Sequence, residues 1–471
     1  MNFSRPALAV FASVVASAAC SGTETPTPGN TAGSVGTAGS NPSGGSGVSG
    51  SSSTAGTGMS TGGSTAGTAS TAGSSNTGGS TAGSGGSGTA GSGTAGSGGS
   101  GAGTGGGGGS GGLSSNAEGP CDIYAKGNTP CVAAYSTVRR LLSTYMGPLY
   151  QVRSGSNAMN NTGMGGMTHD IPQKDGFADI AAQATACANT ICTVSKLYDQ
   201  SGKGNDIIRA VKGLPGNGPN TDKDNYETTI GRADMKDKIK VGGRDVYSLY
   251  MEAYQGYRQT VIGNGMPVDK EPQGIYMVAD GTRTGDACCW DFGNVTRDPT
   301  TYHVMNTLFF GVGYWGEGSQ VKSPGAPLPG PWFGADIEAG VWMGGSVPSD
   351  PGWGAIPPRD NPPPPPPPNE KNPSLFVKYA LGFLKTGNTP DRYALRMADV
   401  QTATMVTTAY AGAYPQGRQL DSQGSVGLGI GGDNSNNSWS TFYEGAIVAG
   451  FPTDATEDAI LQNLKALRYG Q

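Results

Sequence analysis

The feature that most constrains this chain is where its glycine sits. Residues 21 to 119 hold 36 of the 82 glycines, no aromatic residue, and only Glu24 and Glu118 as charged groups. A neutral Gly/Ser/Thr/Ala stretch of this kind buries too little apolar surface to offset the entropy of ordering it, so residues 21 to 118 read as a disordered linker. As a flexible coil it would have an r.m.s. span of roughly 50 to 60 Å. All of the Trp and Tyr, and nearly all of the charge, fall in residues 119 to 471. That length of about 350 residues suffices for one large domain or two small ones.

Several function classes drop out. The net charge is -5 and the Lys and Arg residues are scattered singly, so no basic stripe tracks a phosphate backbone and nucleic acid is excluded as a partner. His169 and His303 are the only histidines, which argues against a multi-His zinc site and leaves few candidates for a Ser-His-Asp triad. There is no P-loop or dinucleotide fingerprint.

Residues 1 to 20 read as a secretory signal, with Arg5 ahead of an apolar stretch from Ala7 to Ala19 that is too short to span a membrane. It ends Ser17-Ala18-Ala19-Cys20. Small residues before Cys resemble a lipoprotein cleavage site that would lipidate Cys20, although Ser17 stands where Leu is usual; ordinary cleavage after Ala-x-Ala is the alternative. Removing Cys20 from the seven cysteines leaves six, enough for three bridges in an oxidising compartment. Spacing suggests local pairs: Cys121 with Cys131, Cys187 with Cys192, and Cys288 with Cys289. The last would be strained, because neighbouring Cα atoms lie about 3.8 Å apart, below the usual disulfide range; two unbridged thiols is the other reading.

In the folded part, three helices are expected: one capped by Ser136 and carrying Val138, Leu141, Leu142 and Tyr145, an Ala-rich one over Phe177 to Ala188, and one in which Asp454 and Glu457 precede Ile460, Leu464 and Leu467. The remainder consists of short strand-like runs between Gly and Asn, such as Gly274 to Val278, Thr307 to Val312 and Arg392 to Met397, which points to a β-sandwich or barrel. Residues 348 to 373 hold 12 prolines and read as an exposed polyproline insertion.

Two segments carry acids in suggestive places. Read as one strand, residues 331 to 342 put Phe333, Ala335, Ile337, Ala339 and Val341 on one face and Asp336 and Glu338 together on the other. Adjacent like charges need compensation, which a polyhydroxylated ligand or catalytic pocket would supply; a solvated face is the plain alternative. In the second segment, Val426 to Asn436, a strand runs into Gly431-Gly432 and Asp433 follows at once. A close backbone approach to a ligand, a solvated Asx turn and a calcium loop all fit, the last poorly because no paired acid follows at the required spacing. Carboxylates, few histidines, export and abundant aromatics fit glycoside hydrolysis, for which two acids flanking the anomeric carbon suffice.

The folded part resembles the catalytic domain of the α-L-arabinofuranosidase B family, glycoside hydrolase family 54. The resemblance rests on Gly119-Pro120-Cys121-Asp122-Ile123-Tyr124, Gly147 to Val152, Tyr198 to Asn205, Gly285-Asp286-Ala287-Cys288-Cys289 with Asp291, Gly293 and Asn294, and Gly429 to Asn436 followed by Thr441 to Gly445, with six cysteines at the family's spacing.

The resemblance implies an all-β, concanavalin-like jelly-roll sandwich and a retaining mechanism. It places the nucleophile on Glu338 and the acid/base on Asp433, which must then be ionised and protonated respectively at rest, with about 5 to 5.5 Å between the two carboxyls. It makes Asp336 a sugar-hydroxyl acceptor, Trp315 a pocket wall, Cys288-Cys289 a vicinal disulfide lining the pocket, and the Gly432 backbone a donor to substrate. No metal or organic cofactor is implied.

There are departures from the family. Ala339 stands where relatives often have Asn, the Pro-rich insertion follows the nucleophile segment, and the chain ends at Gln471, where fungal members continue into an arabinose-binding β-trefoil. The expectation is an exo-acting arabinofuranosidase, secreted or tethered at the cell envelope, monomeric, acting on arabinoxylan, arabinan or arabino-oligosaccharides. A non-catalytic surface lectin and a galactofuranosidase or β-xylosidase remain as alternatives.

Overall fold

A computed structural model describes residues 117–155, 162–213, 215, 220–231, 237–285, 289–300, 305–312, 330–337, 341–342, 371–388, 392–413 and 422–471. The signal, the linker up to residue 116 and nearly all of the proline-rich insertion lie outside these residues. Among the described residues no helix is long and apolar enough to cross a membrane.

Two antiparallel sheets make a β-sandwich. The first runs Cys131–Ser136, Ser440–Ala449, Gln273–Ala279, Ala380–Gly387, Arg392–Asp399, Thr407–Ala413, with Leu249–Met251 also pairing with Ser440–Ala449. The second runs Val341–Trp342, Trp332–Asp336, Met305–Gly311, Asp291–Val295, Ser425–Leu428, Tyr257–Arg258, Ile207–Arg209, Cys192–Leu197, Tyr150–Ser154, Met167–Ile171. Hairpin neighbours alternate with remote ones, such as Cys131–Ser136 beside Ser440–Ala449 and Asp291–Val295 beside Ser425–Leu428, so the hydrophobic patterns of distant segments must agree before either sheet closes.

The central strands Gln273–Ala279, Met305–Gly311 and Asp291–Val295 are buried along their whole length, as strands covered on both faces must be. Small residues in one sheet make room for rings of the other. A Cβ on Gly382 would overlap the Phe333 ring, and one on Gly445 would come within 2.8 Å of Phe292. Phe292 also meets Phe442 of the opposite sheet at 5.6 Å between ring centroids and Tyr135 edge-on at 6.2 Å. Each such buried ring contributes about 1.5–3 kcal/mol through apolar area alone.

The helices depart from expectation in instructive ways. The Ser136 segment is not helical: Cys131–Ser136 is a strand and the chain beyond it is irregular. Ser136 Oγ does accept from the N–H groups of Val138 and Arg139, as a cap would, but the following N–H groups are taken by distant acceptors. Arg140 donates to Gly176 O at 2.8 Å, Leu141 to Gln200 Oε1 at 2.8 Å and Ser143 to Asp122 Oδ2 at 2.8 Å, leaving no i to i−4 ladder.

The Ala-rich helix is shorter than expected, Ile180–Ala186, capped by Asp179 and preceded by a two-residue strand Phe177–Ala178. The last helix is Asp454–Ala466 with Thr453, not Asp454, as its cap. Glu457 is instead buried, 2.6 Å from Arg396 and 3.1 Å from Lys385, which ties the helix to the first sheet. A further helix, Pro120–Lys126, opens the domain with Pro at its first position.

Two expected bridges are present. Cys121–Cys131 (Cα–Cα 5.4 Å) staples that first helix to the first sheet, and Cys187–Cys192 (5.7 Å) closes the turn into the second.

Candidate functional site

The acidic segment 331 to 342 is not one strand. Trp332–Asp336 ends at Asp336, and Val341–Trp342 returns antiparallel beside it in the register Ala335↔Trp342 and Asp336↔Val341. Strand alternation therefore does not carry through to Glu338, which falls in the connection between the two arms and lies outside the described residues, as do Trp315 and Cys288. Asp336 itself is 4% exposed at the strand's end, although no apolar alternation would place a carboxylate inside.

The register explains how Asp336 acquires a second acid. On Met305–Gly311, Thr307 pairs with Asp336 on one side, and Phe309, two residues on, pairs with Asp291 on the other. Directly paired residues and i, i+2 residues share a sheet face, so Asp291, Phe309, Thr307 and Asp336 all project the same way. A carboxylate oxygen of Asp291, one of Asp336 and Cys289 Sγ lie within 4.8 Å of one another, all buried. Burial pushes the Asp291 carboxyl well above the ordinary carboxylate range; the charge of Asp336 and hydrogen bonding to it push the same way, the Thr307 hydroxyl opposes, and Asp433 adds a smaller upward push.

Three candidate ligand atoms in one place raise the question of a metal. Cys289 is disulfide-bonded, to a partner outside the described residues, so its sulfur is no thiolate ligand. The two carboxylates left, one of them favouring its proton, are a poor cation site.

The second acidic segment folds over this cluster. The strand Ser425–Leu428 stops short of the expected Gly-Gly end, and Gly429 (φ +75°) turns the chain, its N–H donating to Asp291 O at 2.7 Å. The next turn is closed by Gly431 N–H to Ser435 O (2.9 Å) and Asn434 N–H to Gly431 O (3.0 Å), and Asn434 takes φ +68°.

Asp433 Oδ1 accepts from Ser435 N at 2.8 Å, an Asx turn, while Ser435 Oγ donates to Cys289 Sγ at 3.4 Å. Gly431 is required where these groups converge: a Cβ there would stand 2.5 Å from Ser435 Oγ and 3.2 Å from both Asp433 Oδ1 and Cys289 Sγ. The loop's side-chain oxygens already accept from protein donors, Asn434 Oδ1 from Arg258, Asn436 Oδ1 from Tyr254 N–H at 3.1 Å and Asp433 Oδ1 from Ser435 N–H, which does not favour the calcium-loop reading. Asp336 and Asp433 thus both lie close to Cys289, and Gly432 lies in the same turn as Asp433.

Two supports of this loop carry no local sequence signal. Arg258, 1% exposed on the two-residue strand Tyr257–Arg258, donates to Gly432 O at 3.3 Å, to Asn434 Oδ1 and to Thr296 O. Burial pushes its guanidinium down to about 10, against the pull of Asp433 and then Asp298. Gly213 lies so close beneath the loop that a Cβ there would overlap the main-chain O of Asp433. The Tyr198 to Asn205 motif is scaffolding: Asp199 accepts from the N–H groups of Ala134, Ser201 and Asn205 at 2.9 Å each, joining the two sheets away from the acids.

Known proteins resemble this chain over most of its folded part. The model of the alpha-L-arabinofuranosidase B catalytic domain matches residues 120–356 and 365–470. An alpha-L-arabinofuranosidase of Hypocrea jecorina is 36% identical over 360 residues, covering 75% of this chain, and an arabinofuranosidase/B-xylosidase of Trichoderma koningii matches equally; the chain spans 63% of the length of each. Among solved structures, an arabinofuranosidase complexed with arabinofuranosyl-alpha-1,2-xylobiose superposes with a TM-score of 0.62 at 33% identity, covering 75% of this chain and 66% of that one. A GH54 α-L-arabinofuranosidase soaked with a cyclic sulfate inhibitor superposes at 0.61, again 33% identical, covering 74% and 66%. With its sandwich, its acid-bearing hairpin and its Gly-Gly-Asp turn, the chain belongs to the α-L-arabinofuranosidase B catalytic-domain family.

Proposed function

We propose that the chain is an exo-acting, retaining α-L-arabinofuranosidase that releases terminal arabinofuranosyl residues from arabinoxylan, arabinan or arabino-oligosaccharides. The observation that carries this is the convergence of Asp336 and Asp433 on Cys289 in a family whose relatives bear that name. Glu338, two residues beyond Asp336, attacks C1, and Asp433 gives its proton to the leaving oxygen. Water then attacks the glycosyl-enzyme with Asp433 as base, and the electron pair of the broken ester returns to Glu338. Asp336 accepts from furanose hydroxyls, Trp315 and a Cys288–Cys289 disulfide wall the ring, and the Gly432 backbone donates to the sugar.

Glu338→Gln and Asp433→Asn each abolish release of nitrophenol from 4-nitrophenyl α-L-arabinofuranoside while the fold persists by circular dichroism. Full activity in either variant removes the assigned role. A second reading, β-xylosidase activity, is favoured by the double name of the Trichoderma koningii relative; a panel of nitrophenyl glycosides separates the two, and arabinose binding with no turnover on any of them would mark a lectin. The two disulfides fit an oxidising compartment. On this reading residues 1 to 20 direct export and 21 to 118 tether the domain, through acylated Cys20 where the chain is lipid-anchored.

A further inference from the structure

Asp291 is the buried acid that the mechanism leaves unused. It is fully buried, and neither of its carboxylate oxygens receives a well-formed donor from the surrounding fold. The Thr307 hydroxyl, which opposes the upward push on Asp291, is a single donor that also reaches Asp336 main-chain O at 3.4 Å, so it cannot serve both oxygens of Asp291. Cys289, bonded as a disulfide, has no proton to give. What faces Asp291 is Asp336, on the strand beyond Thr307, with Asp433 farther off over the same face. The main chain holds Asp291 on both sides, through the pairing with Phe309 and the Gly429 N–H, so its side chain cannot swing away to water. Two ionised carboxylates at this separation, without a cation between them, would cost far more than one proton held between them.

We propose that Asp291 is a positioning residue that stays protonated and donates its O–H to Asp336, so that the buried pair carries one negative charge. The proton satisfies both acids, fixes the rotamer of Asp336, and leaves Asp336 an ionised oxygen for a sugar hydroxyl. This last consequence rests on the sugar-binding role proposed above; the shared proton does not.

The test separates the two. Folded Asp291 holds a proton that the unfolded chain releases near pH 4. Stability therefore falls as pH rises above that value, through the pKa of the folded pair. Asp291→Asn, whose amide donates without ionising, abolishes that component, so its melting temperature relative to wild type rises steadily from pH 4.5 to 8. The infrared difference between wild type and Asp291→Asn at pH 8 shows a protonated-carboxyl C=O band assignable to Asp291, and the same band remains in Asp433→Asn, which sets it apart from the proton of the acid/base.

In kcat/KM on 4-nitrophenyl α-L-arabinofuranoside, Asn costs about tenfold or less and Leu, which removes the donor, about a hundredfold. A melting difference independent of pH together with no protonated-carboxyl band overturns the shared proton. The band and pH trend with Asn as damaging as Leu overturn the positioning role. Loss of the arabinofuranosidase reading alone would leave the melting and infrared results standing.

Discussion

Replacing Arg258 by Met tests whether the acid/base turn is held from beneath. Met fills much of the volume of the buried side chain and makes none of its hydrogen bonds, so the change isolates the guanidinium. In the folded protein that group serves three acceptors on two segments: Gly432 O and Asn434 Oδ1 bracket Asp433 in the turn, and Thr296 O lies on the chain leaving Asp291–Val295. Each acceptor left unpaired in a buried site costs about 1–3 kcal/mol, partly offset because a buried cation no longer has to be desolvated, for a net loss of about 3–5 kcal/mol. For a domain of about 350 residues that corresponds to a fall in melting temperature of about 4–7 °C.

The catalytic effect is separate. A carboxyl group displaced by about 1 Å loses on the order of a hundredfold in rate, so kcat/KM should fall by that order even at temperatures where the variant is fully folded. Melting by circular dichroism and kcat/KM on 4-nitrophenyl α-L-arabinofuranoside about 20 °C below the transition, an interval of about three times the expected shift, read the two effects independently. Arg258→Lys keeps the charge and loses the planar fork, and should fall between the two. A Met variant that melts within about 1 °C of wild type and keeps its kcat/KM within about threefold would refute the argument that Arg258 positions the turn, since both figures lie well inside the effects expected.

How much of this was legible beforehand divides along the line between local and remote partners. The strands Gln273–Ala279 and Arg392–Asp399, the Cys121–Cys131 and Cys187–Cys192 bridges and the last helix follow from period, spacing and capping within a dozen residues, and each lies where the sequence places it apart from its ends. The Ser136 helix failed because its competitors, Gly176 O, Gln200 and Asp122, are brought in by other elements and outbid the helical ladder. The single strand expected over residues 331 to 342 failed because apolar alternation in sequence continues from Phe333 to Val341 although Trp332–Asp336 ends at Asp336 and pairs back with Val341–Trp342. Asp291 and Arg258 were invisible as functional groups. One looks like a polar interruption after Trp290 and the other like a lone charge in a short strand, and only the strand order puts them beneath the same turn. Asp336 and Asp433 could be singled out only through the family motif, which supplies what spacing cannot.

Two remaining expectations bear on the same framework. Gly213→Ala drives a Cβ into the main-chain O of Asp433, so kcat should fall by an order of magnitude or more while the melting temperature moves by only a few degrees, the backbone of an edge loop yielding more easily than a core; a loss confined to stability would show that the contact does not reach the acid. Tyr135, Tyr276, Tyr443 and Tyr469 are held well above the ordinary phenol range, burial being the first cause in each, so the folded protein retains protons that an unfolded chain gives up near pH 10. Their stabilisation is complete below that pH and is lost as pH climbs above it, which makes alkaline unfolding cooperative with phenolate formation. Absorbance at about 295 nm, where phenolate absorbs, should therefore rise in two parts, an early one from exposed tyrosines and a late one coincident with the loss of circular dichroism; a single rise completed while the sheets are intact would mean these rings ionise inside the fold and that burial does not hold their protons.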